Sequence, residues 1–174
     1  MLFRVSFLDL RGSGATEGDD LMSTTRKAIF PAKPHALYRE HGYSPAIASG
    51  DLLFVSGMVG AREDGTAEPD LKAQVELAFE NLEGVLAGAG GSFDDVVDLT
   101  FYMIDPEASV GLLLEGMKKA FPREPMPNVT AVGVNWLAGF QVEIKVIARV
   151  AGMGGSWTAK TQRSSREDIV PGDQ

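Results

Sequence analysis

Hydrophobic positions along this chain switch between two spacings, and the switches mark the elements. Asp51 to Met58 (DLLFVSGM) is a short apolar run after the turn signal Ser49-Gly50, with Pro45 to Ala48 ahead of it as a partner strand, so a hairpin is predicted. From Asp70, Leu71, Val75, Ala78, Leu82, Val85 and Leu86 recur at helical spacing; Asp70 can cap the first turn, and Gly88 with Gly90-Gly91 can end it. Val97, Leu99, Phe101 and Met103 then alternate with Asp98, Thr100 and Tyr102, the period of a strand with one face on the core. Asp105-Pro106 stops that strand and opens a second helix, whose apolar stripe is Val110, Leu113, Leu114 and Met117 and which ends before Pro122. Two strands follow, Asn128 to Val134 and Gln141 to Val150, with one more expected near Ala28 to Phe30. The order β-β-α-β-α-β-β predicts an α+β fold, a sheet covered by two helices on one face.

The last strand says most about the sheet's other face. Val142, Ile144, Val146, Ala148 and Val150 fall on one side, where helices can cover them, and Glu143, Lys145, Ile147 and Arg149 fall on the other. Thr100 and Tyr102 share that second side if the helices cover Leu99 and Phe101. The result is a semi-polar face, suited either to subunit packing around a pocket or to plain solvation.

Composition sets the domain limits and removes some functions. Residues 11–20 (RGSGATEGDD) are polar and Gly-rich, with Met22 just beyond as an alternative start, and the chain from Gly152 to Gln174 is small, polar and charged. Residues 1–21 are therefore expected to be a disordered extension, 22–151 a single domain and 152–174 a disordered tail. Residues 22–151 alone hold 17 acidic and 11 basic residues, and the whole chain has a net charge of -8, which argues against nucleic acid as a partner. With no cysteine and two histidines, no metal site or redox centre is expected. His35 and His41, among Pro, Lys and Gly with no carboxylate pattern, are read as surface residues. No run reaches the ~20 apolar residues of a membrane helix, and Arg4 and Asp9 interrupt Leu2 to Leu10, so no membrane partner and a cytoplasmic location are expected.

Five segments then occur together in order: Tyr43-Ser44-Pro45-Ala46, Gly50 to Gly57, Gln74 to Asn81 ahead of Leu82, Phe93 to Val97, and Val142-Glu143-Ile144. Over residues 40–150 this pattern resembles the RidA/YjgF family of reactive-intermediate deaminases. The resemblance implies a chorismate-mutase-like fold and a homotrimer whose sheets face inward, with a small-molecule cleft at each subunit boundary. It also implies hydrolysis of reactive enamines and imines to keto acids and ammonia, without a cofactor. By the same resemblance Glu143 orients the catalytic water, while Tyr43, Ser56 and Gly57 line the cleft. The family's carboxylate-holding Arg falls on Asn128 in Pro125 to Thr130, leaving Asn128 and Thr130 as the binding residues there. An amide lacks the two-pronged, charge-assisted grip of a guanidinium, so altered substrate preference is expected. Arg123, five residues earlier, is a compensating cation if its loop folds inward. Leu114 stands near an Asn that the family uses in the second helix, and it is taken as pocket wall with Trp136 and Phe140.

Each of these residues also has a plainer role. Glu143 can be a solvated strand charge paired with Lys145, Tyr43 an aromatic cover on a turn, Ser56-Gly57 a bend, and Trp136 and Phe140 packing residues. Three functions are therefore compared: an imine hydrolase of altered preference, a trimeric binder of a small metabolite without turnover, and, least favoured, a ribonuclease. The last needs acid–base groups near neutral pKa and a phosphate grip.

Overall fold

The computed structural model describes residues 26–152; the expected extension at 1–21 and the tail beyond Gly152 lie outside them. The chain runs β1 (Lys27–Ile29), α1 (Leu37–Glu40), β2 (Ala46–Ser49), β3 (Leu52–Val55), β4 (Met58–Val59), α2 (Leu71–Gly88), a single 3₁₀ turn at Phe93–Asp95, β5 (Val96–Met103), α3 (Pro106–Ala120), β6 (Asn128–Gly133) and β7 (Val142–Arg149). These strands form one sheet in the order β1-β2-β3-β7-β5-β6, with β4 continuing beside β7 where β3 stops. β7 is antiparallel to both neighbours, and β5 and β6 are parallel across α3. β4 and β5 both run antiparallel to β7, so α2 is likewise a crossover between parallel strands. Both helices pack on one sheet face, as predicted.

The caps fall where the sequence puts them. Asp70 accepts from the Ala73 amide at 2.9 Å and Asp105 from Ala108 at 3.1 Å, each satisfying a free helix N–H. Beyond the C-cap Ala89 of α2 the chain turns at Gly90, at φ +76°, a conformation glycine adopts without a Cβ clash. The core lies between α2 and the sheet: Val75, Ala78, Leu82, Val85 and Leu86 meet Leu53, Val55, Leu99, Phe101 and the inward row of β7. α3 approaches α2 closely because Gly116 has no side chain; a Cβ there would overlap the Phe79 ring.

Three expectations fail locally. Val97 is 48% exposed and Val96 is buried instead. The pairs Val96↔Ala148 and Asp98↔Ile147 differ by one register step, so β5 opens with a bulge that turns Val97 outward. On α3, Leu113 is buried but Val110 and Leu114 are exposed, because the helix lies over the sheet's edge and only a narrow stripe meets the core. The expected continuous strand Asp51 to Met58 is divided: Phe54 pairs with Ile147 and Met58 with Ile144, leaving one extra residue around Ser56-Gly57. That second bulge is where the candidate site begins.

Candidate functional site

Glu143 stands near the start of β7, opposite Tyr102 of β5 on one side and Val59 of β4 on the other. Its side chain leaves the sheet on the face away from the helices. The β3–β4 bulge makes room for it: a Cβ on Gly57 would fall inside the Glu143 carboxyl group, so glycine here is a steric requirement of the acid beside it. The bulge is pinned by the Ser56 amide donating to the Pro45 carbonyl at 2.9 Å and the Ser56 hydroxyl donating to the Ser44 carbonyl at 2.8 Å.

Half-burial pushes the Glu143 carboxyl above its ordinary 4.5, and the charge of Lys145 opposes part of that rise. Tyr43 is raised too, by its own burial and then by the negative charge of Glu143. Its ring stands edge-on to Tyr38 at 5.2 Å between centroids, and Tyr38 stacks on His35 at 3.9 Å. Tyr43, Ser56, Gly57 and Glu143 are thus brought together within one chain. Tyr102 joins them. It carried no role in the sequence, although its place in the β5 alternation put it on this face. The group offers a carboxyl of raised pKa with two phenols near it, which suits orienting a water and moving a proton.

The remaining candidates scatter. Asn128 and Thr130 lie on the edge strand β6, opposite Asp98 and Thr100. Asn128 is four residues along β6 from the row of Glu143 and two strands across, on the order of 16 Å away in the same chain. Its amide donates to the Asp98 carboxylate at 2.7 Å. Arg123 does not fold inward: it pairs with Asp94 at 2.8 Å, beside the helices. Phe140 is buried with Val59 and Ala61 in a small cluster, while Trp136 is 74% exposed and Leu114 lies on the outside of α3. His35 corrects the surface expectation. It is buried against Tyr38, and burial lowers its pKa from the ordinary 6.5. The Pro-rich context hid this, since nothing in the local pattern reveals a ring stack. His41 is exposed. Among the described residues no group of three or more His, Asp or Glu is placed to hold a metal ion, and no helix is long and apolar enough to cross a membrane.

Comparison with known proteins adds the lineage. The model of a family described as Endoribonuclease L-PSP matches residues 33–150. The chain belongs to the RidA/YjgF family. Among RidA/YjgF relatives, the RutC family protein YjgH of Escherichia coli K12 is 58% identical over 125 residues, covering 72% of this chain and 95% of the relative. The solved structure of protein YJGH superposes with a TM-score of 0.70, covering 72% of this chain and 96% of that one. RidA from an Antarctic Psychrobacter species is 31% identical, with a TM-score of 0.64 over 71% of this chain and 99% of its own. A 2-iminobutanoate/2-iminopropanoate deaminase of Dermatophagoides farinae is 26% identical over 129 residues, 72% of this chain and 97% of the relative. The RidA/YjgF fold, an α+β sheet with helices on one face, is the one found here.

Proposed function

We propose that this RidA/YjgF protein hydrolyses a small reactive imine or its enamine tautomer to a carbonyl compound and ammonia. The observation that carries the proposal is the seat of Glu143: a half-buried carboxyl of raised pKa held against Gly57, with the phenols of Tyr43 and Tyr102 beside it. An imine carbon is already electrophilic, so the reaction needs a positioned water and a proton carrier. Ionised Glu143 takes a proton from water as its oxygen bonds to the imine carbon. Glu143 returns that proton to nitrogen to give the neutral amino alcohol, then takes the hydroxyl proton as the carbonyl forms and passes it to nitrogen as the C–N bond breaks, so that ammonia leaves. Water and imine are consumed, one carbonyl and one ammonia are formed, and no oxidant or cofactor is required.

The same proposal takes the working unit to be a homotrimer with its sheets inward. Asn128 and Thr130, far from Glu143 in one chain, would then face the Glu143 of a neighbouring subunit. Asn128 supplies no positive charge, and its amide is engaged by Asp98. The grip on a substrate carboxylate is accordingly weaker than an Arg would give. The ribonuclease sense of the family description finds little support, since His35 is buried, His41 is exposed, and the chain carries a net charge of -8.

Release of ammonia and carbonyl product from imines generated in situ, with and without a carboxylate, tests this function. Turnover of at least one class is expected. Binding of the carbonyl product with no turnover of any imine would leave a trimeric metabolite binder in its place.

A further inference from the structure

α2 and α3 leave a groove between them on the helix side of the molecule, away from the sheet face that carries Glu143. It encloses about 580 Å³, a volume usual for ligand-binding cavities, and runs from Lys72 at the start of α2 to Ser92 and Phe93 beyond its end. Val75, Phe79, Leu112 and Phe93 supply apolar lining, with the Phe79 and Phe93 rings 6.4 Å apart between centroids. The rim is acidic. Glu76, Glu80 and Glu83 stand exposed along α2 at spacings that put them on one helix face. Two of the cations beside the groove are already engaged, Lys119 with Glu115 at 3.0 Å and Arg123 with Asp94 at 2.8 Å. Among the described residues, Glu80 and Glu83 pair with no cation.

The described chain ends beside this groove. The Val150 amide donates to the Asp51 carbonyl at 2.9 Å, and its side chain lies against Gly91, where a Cβ would come within 2.7 Å of it. Ser92 and Phe93 of the groove follow Gly91 directly, so the chain beyond Gly152 starts from the Phe93 end. Its sequence complements the lining. Residues 153–166 (MGGSWTAKTQRSSR) hold Trp157, Lys160, Arg163 and Arg166 and no acidic residue. Trp157 lies five residues past Gly152, a reach of up to about 17 Å, whereas Phe93 lies two residues from Gly91, about 7 Å. The three cations then follow in the order in which a chain running from Phe93 along α2 meets Glu83, Glu80 and Glu76. Those glutamates are about 4.5 and 6 Å apart along the helix axis, each step within the reach of three residues of chain.

We propose that residues 153–166 of the same chain dock in the α2–α3 groove, with Trp157 on the Phe79 and Phe93 rings and Lys160, Arg163 and Arg166 along Glu83, Glu80 and Glu76. Trp and Arg are the side chains that most often anchor such contacts, and the rim charges select a basic segment over an acidic one. A docked strap thus takes the place of the free tail that composition alone predicts. It covers the helix side and leaves the Glu143 face open, so it does not rest on the imine chemistry.

Trp136 and Trp157 are the chain's two tryptophans, so Trp136→Phe makes Trp157 the sole indole reporter in the full-length protein. At low salt, acrylamide should quench this reporter several-fold less than it quenches free N-acetyltryptophanamide, and high salt should remove the protection. Adding Glu80→Gln and Glu83→Gln removes two exposed rim charges and should leave the circular dichroism native. In that variant trypsin should cut after Lys160, Arg163 and Arg166 roughly 2- to 30-fold faster, because the undocked population rises by that factor. Quenching of Trp157 equal to that of the free indole, or equal tryptic rates with and without the two Gln substitutions, overturns the docking. Protection that is lost on dilution would assign the segment to the groove of a second molecule and overturn docking within the chain.

Discussion

Glu143 is held in surroundings that oppose its charge, and that has a consequence for stability. A carboxyl whose folded pKa lies above its unfolded value stabilises the fold while protonated, and this contribution is lost as pH rises through the raised value. At neutral pH the ionised group therefore works against folding. Glu143→Gln, neutral at every pH, should melt at a higher temperature than wild type near pH 7.5, with the gap closing as pH falls toward the ordinary value of 4.5. An equal gap at both ends would show that charge is not the cause. Gly57→Ala puts a methyl group where the carboxyl now lies. A displacement of about 1 Å at a reacting group costs on the order of 10²-fold in rate, so this variant should lose activity by that factor while its circular dichroism stays native. Asn128→Arg adds a cation beside Asp98. Activity on carboxylated imines should rise, by up to ~10-fold, if Asn128 borders the cleft of a neighbouring subunit. No change would place that strand outside the cleft.

Elements far from the reacting group decide whether it is well placed. Gln74, buried on α2, donates to the Glu68 carbonyl at 2.6 Å and accepts from the Gln141 amide at 2.7 Å, fixing the chain two residues before Glu143. Asn81 of α2 donates to the carbonyls of Val59 and Ala61 at 2.9 and 3.0 Å, tying β4 to the helix above it. Gln74→Leu leaves the Gln141 amide and the Glu68 carbonyl without these partners, which should cost about 1–3 kcal/mol in urea unfolding; an unchanged midpoint would mean that water replaces the bonds. The elements themselves were legible, because α2, α3, β5 and β7 carry clear periods and Asp70 and Asp105 are strong caps. Bulges were not. One extra residue at Val97 and another around Ser56-Gly57 leave no mark in a hydrophobic pattern, since they depend on the partner strand's register. Of the site, Glu143, Gly57, Ser56 and Tyr43 were found through the family resemblance. The β5 alternation put Tyr102 on the right face, but its place opposite Glu143 emerges only when β5 is paired with β7, and buried His35 only when its ring meets Tyr38.

At the scale of the whole molecule, a single chain leaves Leu52, Phe54 and Val97 exposed on the outer side of the sheet. An exposed apolar strip of this kind marks an interaction surface, and the proposed trimer would cover it. Light scattering should give about three times the 18.6 kDa chain mass, and Phe54→Glu should shift the population toward monomer; a wild-type monomer at micromolar concentration would contradict the assembly. Glu143 stands at the centre of the proposed imine hydrolysis, and the most direct test is the rate of ammonia release from imines made in situ by wild type and Glu143→Gln at equal, folded concentrations. Wild-type turnover that falls by about 10²-fold or more in the Gln variant is the predicted result. Turnover that is undiminished in Glu143→Gln would contradict it.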